Sequence, residues 1–313
     1  MKEHGSELHS VFANGMQAFV MKRDPNGTKP LDNVGAPLPL TERAYRRICE
    51  LVRGQFGIHL ASQKQFLVIN RLGRHVQTLG FESYEAFVDY VESDVSGQAL
   101  EVLADLISTN HTYFFREPAH FEFLRTDVLP EIEASLTRGG DNDLRLWCAA
   151  ASTGEEAYSI VMTMLDSFGP RYARFNAGLL ATDLSLKALR QAAAGVYSRE
   201  QVQRVPPGLR QRYFLPQADG RLAVATPVRA EVLFRQFNLV TGNFAFKKPF
   251  HTIFCRNVMI YLDPPARRRL VSALYQVTAP GGYLFIGHAE TIAPDGAGYR
   301  SVRPAVYQRP EVL

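Results

Sequence analysis

The C-terminal half of the chain contains a series of short apolar runs rich in β-branched and aromatic residues, and this rhythm constrains the fold more than any other feature. The runs are "LRLWCAA", "AGLLATDLS", "VLFRQFNLV", "FHTIFCRNVMIYL" and "GGYLFIGHAE". Helical patterns separate several of them, over residues 157–167, 186–194 and 264–277. Strands that alternate with helices indicate a parallel sheet covered on both faces. We therefore expect residues 140–313 to form a doubly wound α/β domain.

One stretch, at about 205–235, interrupts this rhythm. Pro207, Gly220 and Pro227 surround short alternating runs there. Such punctuation is typical of hairpins, so it predicts a small β-subdomain inserted in the sheet domain.

The N-terminal part of the chain has a different pattern. Residues 37–112 carry apolar residues at three- and four-residue spacing and no strand signal, with Thr41 and Ser83 placed to cap helices. This predicts a small all-α domain, followed by a linker helix over 113–139. Residues 1–36 are poor in pattern, and we interpret them as a mobile tail.

The second predicted helix of this domain has two faces. Its apolar face is expected to contain Phe66, Ile69, Leu72, Val76 and Leu79. Three cations lie on another face, because offsets of seven and ten residues return near the same side of a helix: Lys64, Arg71 and Arg74. This face is either a solvated charged surface or a docking strip for an acidic helical partner.

Composition argues against several classes of protein. The 313 residues are 46% hydrophobic and 21% charged, with a net charge of +4, which is too mild to indicate a nucleic-acid binder. No unbroken apolar run is long enough for direct membrane insertion, and the first residues lack the apolar core of a signal peptide. Cys49, Cys148 and Cys255 are widely spaced, which predicts reduced thiols in a cytoplasmic protein.

The segment "WCAAASTGEEAYSI", residues 147–160, predicts a buried strand, a tight turn and a helix. A glycine turn before a helix often cradles a phosphate, but Glu155 and Glu156 would repel one. The next strand ends in Asp183, an acid suited to the two hydroxyls of a ribose. S-adenosylmethionine fits this combination, since it has a ribose, a sulfonium cation and no phosphate. An NAD enzyme fits less well, because the turn has one glycine, Gly154, where a dinucleotide fingerprint has three.

Two further polar clusters fall where such a site would be built. "STNHTYFFREP" places Asn110, Thr112 and Arg116 at the junction of the two predicted domains, and "FCRNVMIYLDP" places polar groups just past a strand end. Each residue also has a plainer interpretation when taken singly. Asp183 would serve as a helix N-cap, the paired glutamates would favour a helix N-terminus, Arg116 would form a surface ion pair, and Tyr261 would be ordinary core.

Together these segments resemble the chemotaxis receptor methyltransferases, the CheR family, from about residue 40 to the end. The matching segments include "TNHTYFFRE", "WCAAASTGEEAYS", "ATDLS", "FNLV", "FCRNVMIYLD" and "GYLFIGHAE". The resemblance implies an all-α N-terminal domain before a Rossmann-like catalytic domain with an inserted β-subdomain. It implies cofactor contacts at Asn110, Thr112, Arg116, Glu156, Asp183, Asn238, Leu239, Arg256 and Asn257, and an active-site tyrosine at Tyr261.

The resemblance also implies an activity and a partner. The enzyme would transfer a methyl group from S-adenosylmethionine to glutamates on chemoreceptor cytoplasmic helices, leaving S-adenosylhomocysteine, and it would act as a cytoplasmic monomer without nucleic acid. Arg116 and Tyr261 would act at the reacting end, and the resemblance favours docking by Lys64, Arg71 and Arg74. Two alternatives are a methyltransferase of another substrate class and a cofactor-binding signalling adaptor without turnover.

Overall fold

The structure is a computed structural model that describes residues 38–60, 64–292 and 297–311. All of these residues fall within one compact unit, residues 38–313. The tail expected over residues 1–36 lies outside the described residues. Within the described ranges, no helix is long and apolar enough to cross a membrane.

Four helices open the described chain and share one apolar core. They are α1 (Glu42–Phe56), α2 (Gln65–Thr78), α3 (Tyr84–Ser93) and α4 (Gln98–Ile107). Thr41 and Ser83 cap α1 and α3 as the sequence predicts, because their hydroxyls accept hydrogen bonds from the backbone N–H groups of Ala44 and Ala86. Each cap satisfies a donor that the first turn of a helix leaves unpaired.

The apolar face predicted for α2 is partly wrong. Val68, Leu72 and Val76 are fully buried, whereas Phe66 is 78% exposed and Leu79 is 46% exposed. The buried residues of α2 form one narrow stripe at four-residue spacing, and this stripe packs near α4. Phe66 lies about 120° away from Leu72 around the helix, on the solvent side.

A seven-stranded sheet forms the centre of the remaining chain. Its strands are β1 (Asp143–Cys148), β2 (Asn176–Asp183), β6 (Val232–Gln236), β7 (Phe250–Phe254), β8 (Thr278–Phe285), β9 (Arg300–Arg303) and β10 (Val306–Gln308). Their spatial order is β6-β2-β1-β7-β8-β10-β9. Neighbours from β6 to β8 pair in parallel, and β10 and β9 form an antiparallel edge.

Helices connect the parallel strands and confirm the α/β prediction. Helix α7 (Glu155–Phe168) lies between β1 and β2, α8 (Leu186–Ala194) follows β2, and α12 (Pro264–Val277) lies between β7 and β8. The chain runs outward from β1 through β2 to β6 and then returns to place β7 beside β1. The strand order therefore reverses between β1 and β7, as in a doubly wound sheet.

A second, three-stranded antiparallel sheet is inserted between α8 and β6. It consists of β3 (Val196–Tyr197), β4 (Phe214–Pro216) and β5 (Leu222–Val224), with the short helices α9 (Arg199–Val202), α10 (Pro207–Tyr213) and α11 (Thr226–Arg229) around it. The small sheet thus begins before the expected limit at 205. Strand β6 belongs to the large sheet, as the run "VLFRQFNLV" predicts. A two-residue strand such as β3 is too short to leave a periodic signal in the sequence.

The connector between the helices and the large sheet begins with an irregular loop. The sequence predicts a helix over 113–139, but helix α5 (Pro118–Phe123) starts only at Pro118. A π-helical turn (Leu124–Val128) and helix α6 (Leu129–Gly139) follow it. Proline is favoured at the first turn of a helix, which accounts for the late start.

Candidate active site

A cleft opens at the carboxyl ends of β1, β2 and β7, where the strand order reverses. The turn after β1, the segment after β2 and the segment 256–262 after β7 line it, and residues 107–112 close it from the helical side. We call this the central cleft. In doubly wound sheets, ligands bind at this point, because the connecting loops diverge there.

The central cleft brings together every residue for which the sequence predicts a cofactor or catalytic role. These residues are Asn110, Thr112, Arg116, Glu156, Asp183, Asn238, Leu239, Arg256, Asn257 and Tyr261. They come from five separate segments of the chain.

Gly154 is required by its backbone conformation and by its neighbours. Its φ of +97° is in the region that favours glycine. A Cβ at this position would lie 2.8 Å from the Cβ of Ala192 and 2.8 Å from the hydroxyl of Tyr197. That hydroxyl donates a hydrogen bond to the carbonyl of Thr153. The single glycine therefore packs the turn against the small subdomain.

Asp183 organises the turn at the base of the cleft. Its carboxylate accepts hydrogen bonds from the backbone N–H of Ser152, at 2.8 Å, and of Ser185, at 2.9 Å. Burial raises the pKa of Asp183, and these hydrogen bonds oppose the rise. The N-cap of α8 is Ser185, whose hydroxyl accepts from the backbone N–H of Ala188. The interpretation of Asp183 as an N-cap is therefore wrong.

The two adjacent glutamates have different surroundings. Glu155 accepts a hydrogen bond from the Thr153 hydroxyl at 2.6 Å and is not among the residues that line the cleft. Glu156 lines the cleft and pairs with the guanidinium of Arg256 at 2.7 Å. Burial raises the pKa of Glu156, and the charge of Arg256 opposes that rise. Only Glu156 is placed to meet a ligand.

Arg256 ties three segments together inside the protein. Its side chain is 0% exposed. Besides Glu156, its guanidinium contacts the carboxylate of Glu117 at 3.0 Å and donates to the backbone carbonyl of Arg116. Glu117 is not among the predicted site residues, because nothing in the sequence shows that it faces Arg256, which lies 139 positions later.

Arg116 and Tyr261 are half-buried and line the same cleft. The guanidinium of Arg116 donates to the carbonyl of His111 at 2.9 Å. Among the described residues no carboxylate pairs with it at salt-bridge distance, so a surface ion pair does not account for it. Its remaining donors are available to a ligand in the cleft.

Asn238 and Leu239 line the cleft from the segment after β6. The amide of Asn238 is committed to the protein, because it donates to the carbonyl of Gln55 at 2.8 Å and accepts from the backbone N–H of Val240. This contact joins the segment after β6 to the end of α1. Asn238 therefore shapes the wall of the cleft.

A second residue outside the predicted set holds the segment after β7. The buried carboxylate of Glu290 accepts hydrogen bonds from the backbone N–H of Asn257 at 2.8 Å, Ile260 at 3.2 Å and Gly287 at 2.6 Å. The segment that it holds carries Arg256, Asn257 and Tyr261. Its sequence signal is an acid five residues past the end of β8, at the same edge of the sheet.

The loops around the cleft contain unusual backbone conformations. Phe115, Glu117, Ser152 and Asn257 have φ values between +49° and +58°. Non-glycine residues in this region each cost free energy, on the order of 1 kcal/mol, and they cluster at functional sites. The contacts of Glu117, Asp183 and Glu290 hold these loops in place.

Lys64, Arg71 and Arg74 lie outside the central cleft. The guanidinium of Arg71 donates to the carbonyls of Ile107 and Ser108 and to the hydroxyl of Thr109. Arg74 is exposed and Lys64 is half-buried at the start of α2. The three cations therefore differ: Arg71 anchors a segment that lines the cleft, whereas Arg74 faces solvent.

The chemistry of the lining is that of a site for an uncharged or cationic nucleoside. No lysine is among the lining residues, and one of the two arginines, Arg256, is already paired with carboxylates. Asp183 and Glu156 supply acceptors at the strand ends, and apolar residues such as Phe237 and Leu239 supply a surface for a base. A pyrophosphate would find no cradle here.

Comparison with known families agrees with this chemistry. Residues 43–108 match the family model "CheR methyltransferase, all-alpha domain", and residues 110–305 match "CheR methyltransferase, SAM binding domain". Among solved structures, an arsenic (III) S-adenosylmethionine methyltransferase from Chlamydomonas reinhardtii is 19% identical and covers 46% of this chain and 38% of its own, with a TM-score of 0.28, too low to support an inference.

Curated relatives cover most of the chain. A chemotaxis protein methyltransferase of Borreliella burgdorferi is 33% identical over 86% of this chain and 95% of its own length. Proteins of the same name from Klebsiella aerogenes and Escherichia coli K12 are 36% and 34% identical, over 82% of this chain and 86% and 87% of their own lengths. This chain therefore belongs to the CheR family of methyltransferases, and it is an enzyme that uses S-adenosylmethionine.

Proposed function

We propose that this protein methylates glutamate side chains on the cytoplasmic helices of chemoreceptors, forming glutamate methyl esters and S-adenosylhomocysteine. The observation that supports the proposal is the central cleft, which is lined by ten residues from five segments for which the family resemblance implies cofactor or catalytic roles. The protein acts in the cytoplasm, where these helices lie, as a monomer and without nucleic acid.

The residues of the cleft fit the cofactor. Ser152 lines it with a buried hydroxyl that has no hydrogen-bond partner within the protein. A buried polar group without a partner costs about 1–3 kcal/mol, so a ligand that pairs with it is favoured. In our proposal Asp183 and Glu156 bind the ribose and adenosyl part, and Asn110, Thr112 and Arg116 bind the amino-acid part. When bound, the cofactor supplies an electrophilic methyl group.

The protein needs to supply little acid–base chemistry. A glutamate carboxylate has an ordinary pKa near 4.3, so the nucleophile is ionised at neutral pH without a general base. The reaction joins opposite charges, so catalysis depends mainly on alignment and on exclusion of water. Tyr261, which lines the cleft from the segment after β7, holds the incoming carboxylate. Arg116 neutralises a carboxylate of the cofactor or the substrate.

Docking of the substrate is assigned to α2. Arg71 fixes α2 against residues 107–109, which line the cleft, so α2 lies beside one wall of the cleft. Phe66, Asn70 and Arg74 recur at four-residue spacing, are exposed and form one face. With Lys64 they offer cations and one aromatic ring to a glutamate-rich helix. Arg71 contributes by positioning this face.

The test is transfer of a labelled methyl group to purified receptor cytoplasmic fragments, with the ester identified by its loss in mild base. Asp183→Asn is the variant with weakened cofactor binding, assayed at limiting cofactor, and Asp166→Asn, at an exposed acid in α7, is the control. Transfer that requires Asp183 and targets glutamates supports the proposal. Cofactor binding without transfer would indicate a signalling adaptor, and transfer only to RNA or small molecules would indicate another substrate class.

A further inference from the structure

Three potential metal ligands lie together behind Arg256, outside the central cleft. They are the carboxylate of Glu117 and the rings of His120 and His288. The Oε2 atom of Glu117 lies 3.5 Å from Nδ1 of His120 and 3.8 Å from Nε2 of His288. One ligand atom from each residue falls within 4.8 Å of the others. The two imidazoles meet edge to face, with centroids 4.8 Å apart.

His120 is the unusual member of this group. It is 2% exposed, and neither ring nitrogen makes a hydrogen bond of acceptable geometry, although the carbonyl of Pro304 lies near the ring. A neutral imidazole keeps a lone pair, and buried imidazole nitrogens are rarely left without a partner.

The charge around the group favours a cation. Arg256 is shared by two carboxylates, Glu117 and Glu156, which leaves one formal negative charge in excess. The group therefore presents a carboxylate beside two imidazole rings.

We propose that Glu117, His120 and His288 form a binding site for a divalent late transition-metal ion, with Zn²⁺ as the best fit. Zn²⁺ takes imidazole nitrogen and carboxylate oxygen at about 2.0–2.2 Å, which places ligand atoms about 3.3 Å apart in a tetrahedral site. The two separations from Glu117, 3.5 and 3.8 Å, are close to this, and all three ligand atoms lie within 4.8 Å of one another. His288 is half exposed, so its ring can move to close the site. Three protein ligands leave the fourth coordination position of the ion for water.

Occupancy of this site should affect the central cleft. The oxygen of Glu117 that faces both histidines is the one that contacts Arg256 at 3.0 Å. A metal ion bound to that oxygen competes with Arg256 for it. Arg256 also holds Glu156 and the backbone of Arg116, both in the cleft. Bound Zn²⁺ should therefore weaken the binding of S-adenosylhomocysteine.

The site can be tested without measuring methyl transfer. The full chain is stripped with chelator, and Zn²⁺ binding is then measured by competition with a chromophoric chelator. His288→Ala should weaken the tightest Zn²⁺ binding by about tenfold or more, because it removes a ligand from an exposed position. His59→Ala, which removes another exposed histidine, should leave it unchanged. His120→Asn provides a second ligand variant, with circular dichroism to check that it folds.

Coupling to the cleft is tested by calorimetry of S-adenosylhomocysteine with and without Zn²⁺. Its affinity should fall when Zn²⁺ is present in the wild type and in His59→Ala, and stay constant in His288→Ala. Equal Zn²⁺ affinity in the wild type and His288→Ala would overturn the site, even if the protein methylates receptors as proposed. Zn²⁺ binding that depends on His288 but leaves cofactor affinity unchanged would overturn the coupling.

Discussion

Arg256 in the central cleft and Arg74 on α2 have the same side chain and opposite physical roles. Arg256 is fully buried and contacts two carboxylates and a carbonyl, whereas Arg74 is exposed on the face of α2. Arg71 lies between these extremes, half-buried and bonded to backbone carbonyls. Burial therefore decides whether a cation fixes the geometry of a site or only attracts a partner to it.

The energies of the two situations differ accordingly. Removing one partner of a buried ion pair leaves an uncompensated charge and costs about 3–5 kcal/mol. An exposed ion pair contributes about 0–1 kcal/mol, and salt screens it. Substitutions in the cleft should therefore have larger effects on free energy than substitutions on α2, and only those on α2 should depend strongly on salt.

The largest effect is expected from Arg256→Met. Glu117 and Glu156 would each lose a buried cation, so the free energy of unfolding should fall by about 3–5 kcal/mol, and S-adenosylhomocysteine binding should be lost. Urea unfolding followed by the fluorescence of the single tryptophan, Trp147, measures the first effect. Arg138→Met, at an exposed position of α6, should change stability by less than about 0.5 kcal/mol. Equal stability of the two variants would contradict this account of Arg256.

Asp183→Asn should have the next largest effect. The substitution preserves size and one acceptor oxygen for Ser152 or Ser185, but it removes the charge. Loss of a charged hydrogen bond costs about 1.5–3 kcal/mol, so affinity for S-adenosylhomocysteine should fall by about tenfold or more. Calorimetry measures it, with Asp166→Asn as control. Unchanged affinity in a folded Asp183→Asn would remove Asp183 from the cofactor site.

Tyr261→Phe and Glu290→Gln test how the segment after β7 is held. Tyr261→Phe removes one hydroxyl at the reacting end, so kcat should fall by about tenfold while cofactor affinity stays within about twofold.

Glu290→Gln weakens the contacts to Asn257 and Ile260, so kcat and cofactor affinity should fall together. Steady-state kinetics and calorimetry separate the two patterns. Wild-type kcat in Tyr261→Phe would exclude a catalytic role for that tyrosine.

The fold and most of the cleft follow from the sequence for a physical reason. Carboxyl ends of parallel strands meet at one edge of a sheet, so Asp183 and Arg256 converge once the strands are recognised. Helix caps at Thr41 and Ser83 are local and are equally visible. To predict these features, one needs only the short-range sequence pattern and the topology of the sheet.

The supporting contacts could not be predicted in the same way. Glu117 acts through Arg256, which is distant in sequence. Glu290 acts through backbone N–H groups, which every residue except proline has, so the residue types give no sign of these contacts. The interpretation of Asp183 as a cap was reasonable locally, but Ser185, two residues later, takes that role. Phe66 is apolar and exposed, because the register of burial in α2 depends on how it packs near α4.

A pH experiment compares a half-buried histidine, His251, with an exposed one, His59. Burial, with the charge of Arg145, lowers the pKa of His251 from 6.5 to about 4, and its Nδ1 accepts a hydrogen bond from the backbone N–H of Arg145. Because the folded pKa is depressed, this histidine contributes stability that is fully present above pH 6.5 and is lost as the pH falls toward 4. We estimate a loss of about 1–2 kcal/mol, allowing for partial exposure.

His251→Asn retains an acceptor without the titration, so it should flatten stability against pH between 6.5 and 4. His59→Asn, at an exposed position, should follow the wild type. Thermal unfolding across this pH range measures the difference. Parallel curves for the wild type and His251→Asn would show that the histidine does not titrate with unfolding.

The smallest effect is expected from Arg74→Glu. This reversal adds like charge to the face that we assign to a glutamate-rich helix, so the KM for receptor fragments should rise by about two- to five-fold, corresponding to about 0.5–1 kcal/mol. The salt dependence of KM should flatten, since the charges act over about 8–10 Å. Cofactor affinity should not change, because Arg74 lies outside the cleft.

Arg71→Glu is not a suitable substitute, because it would break the contacts to residues 107–109 and disturb the cleft. Arg138→Glu is the matched control on α6. If Arg74→Glu and Arg138→Glu give the same KM at low salt, the exposed face of α2 is only solvated, and the receptor docks elsewhere on the enzyme.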